Sequence, residues 1–202
     1  MKTAATVFTA LLITAFAGPA LAEAPTFAEV LSTVVGVRAT VPADARTAHS
    51  LGTERAGGGV VIDSQGLVLT IGYLILEADR VEVVTQDGAT VEAAIVAYDH
   101  DTGFGLLRAA APLGVEPARF GDSSALKVTD VVVALSAEGA PPVLPAKVVS
   151  RRPFAGYWEY LLEDAIFTSP PHKFFGGAGL FGREGRLLGI GFRTTLSLQL
   201  RD

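Results

Sequence analysis

The sequence predicts an all-β globular domain, on three observations. The stretch Ala56–Ile75, AGGGVVIDSQGLVLTIGYLI, holds two short apolar runs, Val60-Val61-Ile62 and Leu67-Val68-Leu69, joined by the turn Asp63-Ser64-Gln65-Gly66. Aliphatic and β-branched runs bounded by Gly, Asp and Ser are the pattern of a buried hairpin. Farther on, Asp87-Gly88 separates two further strand-like runs, and this dipeptide favours the two-residue hairpin turn. Finally, the chain carries 22 glycines in 202 residues, enough for the many turns that short strands require.

The elements follow in order. Lys2, the apolar run Ala4–Phe16 and the Ala20-Leu21-Ala22 end have the layout of a secretory signal peptide over residues 1–22, cut after Ala22. The apolar run is too short for a comfortable membrane span, so no span is expected once the signal is removed. Thr26 with Glu29 three residues on predicts a capping box. Phe27, Val30, Leu31 and Val34 then share one face of a helix over Thr26–Val35. Val35–Val41 reads as the first strand and Pro42–Arg55 as a polar loop. The hairpin above comes next, preceded by Gly57-Gly58-Gly59, which would admit a second backbone at close range. Strands over Ala78–Gln86 and Thr90–Tyr98 flank the Asp87-Gly88 turn, the second placing Val91, Ala93, Ile95 and Ala97 on one face. Asp99–Gly103 breaks the pattern, and Phe104–Arg108 resumes it. Val143–Ser150 and Leu187–Gly191 read as strands, and Thr194, Leu196, Leu198 and Leu200 alternate as a last one.

Composition narrows the function classes. Half of the residues are hydrophobic and 18% are charged, which suits one ordinary domain with a real core. The net charge of -5 leaves no basic stripe for nucleic acid. With no cysteine, disulfides, thiol catalysis and cysteine-bound zinc are excluded together. The three histidines, His49, His100 and His172, stand at no ligand spacing, so neither a metal nor another cofactor is expected. Ser123 and Ser124 follow Asp122 as ordinary turn residues. Phe154, Tyr157, Trp158 and Tyr160 concentrate aromatics in one stretch. This is either a hydrophobic plug over a sheet seam or a partner-binding patch.

Several of these motifs, taken together, resemble the trypsin-like domain of HtrA/DegP-type serine proteases. The residues that carry the resemblance are Gly-x-Gly-Val-Val at Gly57–Val61, Asp63-x-x-Gly66 and the apolar run ending in Thr70. It continues with Asp99-x-Asp101, the Gly121-Asp122-Ser123 run, and Gly177 to Gly191. The resemblance implies two packed antiparallel six-stranded β-barrels with a short N-terminal helix. Barrel one would span about residues 35–113 and barrel two about 117–200, in a domain covering 23–202. It also implies where catalytic groups should stand. The histidine follows the Thr by three residues, and here Tyr73 occupies that place. The orienting aspartate's place holds Gly103, the nucleophilic serine's holds Gly176, and the oxyanion-hole glycine's holds Phe174. The family's Gly-Asn-Pro-Phe-Gly loop is replaced by Ala137–Pro142, and the sequence ends at Asp202 without the PDZ module that usually follows.

Serine acyl transfer needs a hydroxyl, a base in reach and an acceptor that orients the base. A phenol titrating near pH 10 is no base at neutrality, and glycine supplies no side chain. The expectation is therefore an exported, catalytically inactive serine protease homologue in the periplasm or beyond. It would bind a protein or peptide partner, with homo-oligomerisation as a further partner class. Two alternatives are an active endopeptidase with relocated groups, using Ser169 with His100 or His172, and a structural subunit of an envelope complex.

Overall fold

The structure is a computed structural model that describes residues 24–138, 142–156, 161–171 and 176–192. The expected signal segment lies outside these residues. The chain enters through α1 (Phe27–Ser32), capped as the sequence predicts. The Glu29 amide donates to Thr26 Oγ1 (3.3 Å), and the Thr26 amide donates to Glu29 Oε2 (2.6 Å). The helix is shorter than expected. The Thr33 hydroxyl donates back to the Val30 carbonyl at 2.7 Å, and the β-branched Val34 and Val35 begin the first strand instead. Val30 alone is buried on the helix, while Phe27 is 57% exposed.

Six strands then close a barrel: β1 (Val34–Thr40), β2 (Glu54–Val61), β3 (Leu67–Ile71), β4 (Arg80–Val84), β5 (Thr90–Tyr98) and β6 (Phe104–Ala109). Their order is β1-β2-β3-β6-β5-β4, and β1 pairs with both β2 and β4 to close the ring. A short helix, α2 (Ala48–Leu51), interrupts the loop expected between β1 and β2. Asp63 holds the β2–β3 turn. Its Oδ1 accepts from the amides of Gln65 (2.9 Å) and Leu67 (2.7 Å), and both carboxylate oxygens accept from Arg108. Gly66 completes the turn at φ +79°, where a side chain would be strained.

The alternation expected along β5 fails at its centre. The pairing with β6 slips between Ile95 and Ala97, so Val96 is an extra residue in a bulge. Ile95 is 42% and Val96 54% exposed instead of alternating.

The second half contains β7 (Val131–Leu135), β8 (Val143–Phe154), β9 (Leu162–Ser169), β10 (Gly179–Phe181) and β11 (Leu187–Ile190), in the order β11-β10-β7-β8-β9. Among the described residues this repeats five of the six places in the first barrel's order, the sixth falling between β9 and β11. The strand expected over 194–200 lies outside the described residues. The two halves share apolar packing. Leu135, Phe181, Leu187 and Ile190 join the core built from β1–β6, and Val132, Ala134, Ala146, Val148 and Leu180 form a smaller core of their own.

Candidate functional site

The site forms where the end of β3 meets the segment before β10. Thr70, one residue before the end of β3, is buried, with its hydroxyl donating to the Gly58 carbonyl at 2.7 Å. A 3-10 turn at Gly72–Leu74 follows and carries Tyr73. Glycine at 72 lets the turn pack closely, because a Cβ there would lie 2.1 Å from Tyr98 Cε2 and 2.9 Å from the Gly103 carbonyl oxygen. The Gly72 amide donates to the Gly103 carbonyl at 2.7 Å, which brings the second expected position against the turn. Gly103 itself sits at φ +75°, and its amide donates to the Asp99 carbonyl at 2.8 Å. The third expected position closes the group: a Cβ built on Gly176 would lie 2.2 Å from Tyr73 Oη. Tyr73, Gly103 and Gly176, separated widely in sequence, therefore share one locus.

The glycines of β2 make this approach workable. Gly58 donates its amide to the Gly176 carbonyl at 2.8 Å. A Cβ on Gly57 would meet that carbonyl at 2.6 Å, and one on Gly177 would meet the Gly58 carbonyl at 1.9 Å. Gly177 also needs φ +79°, and its amide donates to the Gly191 carbonyl at 2.8 Å. Backbone thus packs on backbone across the junction of the two halves, as Gly57–Gly59 implied.

A charged network beneath the turn was not anticipated. Arg55 is 6% exposed. Its Nη1 donates to the carbonyls of Tyr73 and Leu76, both at 2.8 Å, and its Nε donates to the Gly52 carbonyl at 3.1 Å. Nη2 reaches Thr47 Oγ1 at 2.7 Å, while Thr47 donates its amide (2.8 Å) and hydroxyl (2.6 Å) to Glu77 Oε2. These bonds hold Glu77 at φ +59° and keep its carboxyl below the usual range, with the Thr47 hydroxyl the largest cause. Burial pulls the Arg55 guanidinium below its ordinary value, opposed by the charge of Glu77. Strand parity was the available signal. Arg55 faces inward with Gly57 and Gly59, an unusual place for a charge in a β-strand.

The remaining candidates separate. Asp99 is occupied locally, accepting from Thr102 Oγ1 at 2.6 Å and from the Asp101 amide at 3.0 Å. The Thr102 hydroxyl is the main reason its carboxyl is held low. His100 is exposed and rests on Tyr98, ring centroids 4.4 Å apart. No hydrogen bond joins it to Ser169 among the described residues. His49 is exposed on α2. Ser124 donates its hydroxyl to Asp122 Oδ1 at 2.6 Å in a capped turn, as turn chemistry predicts. Phe154 is half-buried between Phe167 and Phe192. Tyr157, Trp158, Tyr160, His172 and Phe174 lie outside the described residues. Among those residues no cluster of three or more His, Asp or Glu could hold a metal ion, and no helix is long and apolar enough to cross a membrane.

A closed β-barrel joined to a curled sheet, with a site at their junction, defines the trypsin-like architecture. The chain belongs to the trypsin-like peptidase domain family, whose model matches residues 57–190. Within it, the relatives are of the HtrA/DegP type. The probable periplasmic serine protease do/HhoA-like of Haemophilus influenzae is 30% identical over 142 residues, 66% of this chain and 30% of that protein. The serine protease Do-like HtrA of Lactobacillus helveticus is 28% identical over 153 residues, 69% of this chain and 36% of that protein. The chain thus spans about a third of the length of the curated relatives it matches. Among solved structures, the HtrA-type protease AlgW with a tripeptide superposes with a TM-score of 0.68 at 20% identity, over 82% of this chain and 54% of that one. Rv3671c from M. tuberculosis, in an inactive mutant form, gives 0.64 at 22% identity over 90% and 88%. These two likenesses show the fold.

Proposed function

We propose that this is an exported HtrA-type protease homologue that has lost peptide-bond hydrolysis and binds a protein or peptide partner at the junction of its two halves. The observation that carries the reading is the contact between Tyr73 and Gly176. The phenol hydroxyl stands where a side chain on residue 176 would begin, 2.2 Å from its Cβ position. Where a trypsin-like site needs an imidazole beside a nucleophile, this chain offers a phenol beside a glycine. Phenols titrate near pH 10 and accept no proton at neutrality. The third place belongs to Gly103, which at φ +75° would strain an aspartate. Loss of the oxyanion-hole glycine to Phe174 is part of the same proposal.

Partner binding rests on what is retained: two packed sheets with a junction between them, as in relatives that are peptidases. Backbone hydrogen bonds to an extended peptide need no catalytic group. Export rests on the signal-like residues 1–22 and on relatives named as periplasmic. N-terminal sequencing of the protein recovered from the cell envelope should begin at Glu23.

The deciding experiment incubates the protein with a fluorophosphonate probe and with labelled casein. The expected result is no probe incorporation and no release of label above a buffer control. Incorporation at any serine, with casein cleavage that the probe abolishes, overturns the proposal in favour of relocated groups.

A further inference from the structure

We infer that the row Arg152–Phe167–Phe154–Phe192 is a docking strip for an extended partner segment that carries an aromatic side chain next to a carboxylate. The inference rests on the reading of the junction as a partner site and specifies the chemistry of the partner. The row starts beside that junction. Gly191 accepts the Gly177 amide at 2.8 Å and donates to the Ala178 carbonyl at 2.7 Å, and Phe192 is the next residue. From there the rings continue outward. Phe192 lies against Phe154 with centroids 4.8 Å apart, and Phe154 meets Phe167 edge-on at 6.2 Å. The Arg152 guanidinium carbon stands 4.3 Å above the Phe167 ring centroid. All three rings are only half-buried, and Arg152 is exposed. Leu161, next to the Phe154–Leu162 pair, is 55% exposed.

The neighbouring arginine shows what is unusual about this one. Arg151 is fully employed: it makes a two-point pair with Asp164 and donates to the carbonyls of Ser123, Ser124 and Leu126. Arg152 has no ion pair or hydrogen bond among the described residues. Its guanidinium lies over the Phe167 ring, and the residue is exposed. Stacking restricts the side chain before any ligand arrives, and the planar fork then matches a carboxylate at two points. Arginine and aromatic residues in one strip are the combination that carries most binding energy at protein interfaces. In a chain of net charge -5, Arg152 supplies a local attraction for an acidic segment beside the aromatic row. One exposed guanidinium in a row of aromatic rings does not suit the polyphosphate backbone of nucleic acid.

The test uses a fluorescein-labelled ten-residue peptide with two Phe-Asp repeats in a Ser/Val background, followed by fluorescence anisotropy. Two control peptides replace Asp by Lys or Phe by Ala. The Phe-Asp peptide should bind at least about tenfold more tightly than either control, and its affinity should fall with added salt. The R152E substitution should weaken it at least about tenfold, the milder R152Q about threefold or more, and R183E, in the exposed turn between β10 and β11, less than about twofold. Unchanged thermal melting of each variant confirms folding. Equal binding of the Asp and Lys peptides, an R152E effect under twofold, an R183E effect as large as that of R152E, or no binding of any peptide each overturns the inference. Peptide length, checked by mass spectrometry after the titration, separates the two readings. Cleavage refutes inactivity but leaves the Arg152 selectivity standing. An intact but unbound peptide refutes the docking strip and leaves inactivity standing.

Discussion

A side chain at position 176 would run into Tyr73. The Tyr73 hydroxyl is 2.2 Å from the Cβ that any other residue would bring, and the next ring atom, Cζ, is 3.3 Å away. Tyr73 cannot retreat through its backbone, because Arg55 and the Gly72–Gly103 hydrogen bond hold the turn. G176A should therefore destabilise the protein by about 1–3 kcal/mol through overpacking. Removing only the hydroxyl relieves the severe part of the overlap. In a Y73F background the cost of G176A should fall by about 1 kcal/mol or more, a coupling readable in a double-mutant cycle of urea melts. Strictly additive costs would show that the hydroxyl is not what crowds the site. By the same contact, G176S alone restores no nucleophile to a usable position.

Among the elements, the β2–β3 hairpin shows how local chemistry and tertiary contact reinforce each other. Asp63 caps its own turn through two amides and then receives Arg108 from β6, across the β3–β6 pairing. The Leu67 amide is the largest cause holding the Asp63 carboxyl below the usual range, and the Arg108 side chain adds to it. A carboxyl depressed in the folded state contributes stability that is complete above its unfolded value, near pH 4. That contribution is lost as pH falls through the folded value. Thermal melts between pH 6 and pH 2.5 should show this acid-side loss, and D63N should show a smaller drop over the same range. An identical drop in both proteins would place the acid sensitivity in other carboxylates.

For the whole molecule, the joint between the halves is a backbone contact. Gly58 bonds Gly176, and Gly177 passes so near Gly58 that a methyl group would sit 1.9 Å from the Gly58 carbonyl oxygen. Neither atom belongs to a flexible side chain, and Gly177 is at φ +79° besides. G177A should cost about 3 kcal/mol or more, adding a strained backbone to a steric overlap that only movement of a half can relieve. The comparison is G185A at φ +68°, in the exposed turn between β10 and β11. There the Cβ would meet Val30 and Pro25 side-chain atoms at 2.7 and 3.0 Å, neighbours that can shift more easily than backbone. Chemical denaturation of both variants checks the ranking, and an equal cost would mean that the joint is no more rigid than a surface turn.

Short-range chemistry in the sequence by itself determined much of this protein. The capping box, the Asp63 and Asp87 turns, the strand runs and the spacing of Tyr73, Gly103 and Gly176 all depend on residues a few positions apart or on motif order. Where a boundary depended on competition, the sequence was ambiguous. Val34 and Val35 continue a helical stripe equally well, but the pairing of β1 with β2 took them. Only the tertiary structure decided that Val96 would bulge, that Arg55 would be buried under the Tyr73 turn, and that the Tyr73 hydroxyl would fill the volume at Gly176. It also decided that Arg152 would lie over Phe167 with no ion pair among the described residues, while Arg151 beside it bonds Asp164 and three carbonyls. Each of these depends on which distant backbone carbonyl or ring comes within a few ångströms, a relation that no periodicity along the chain encodes.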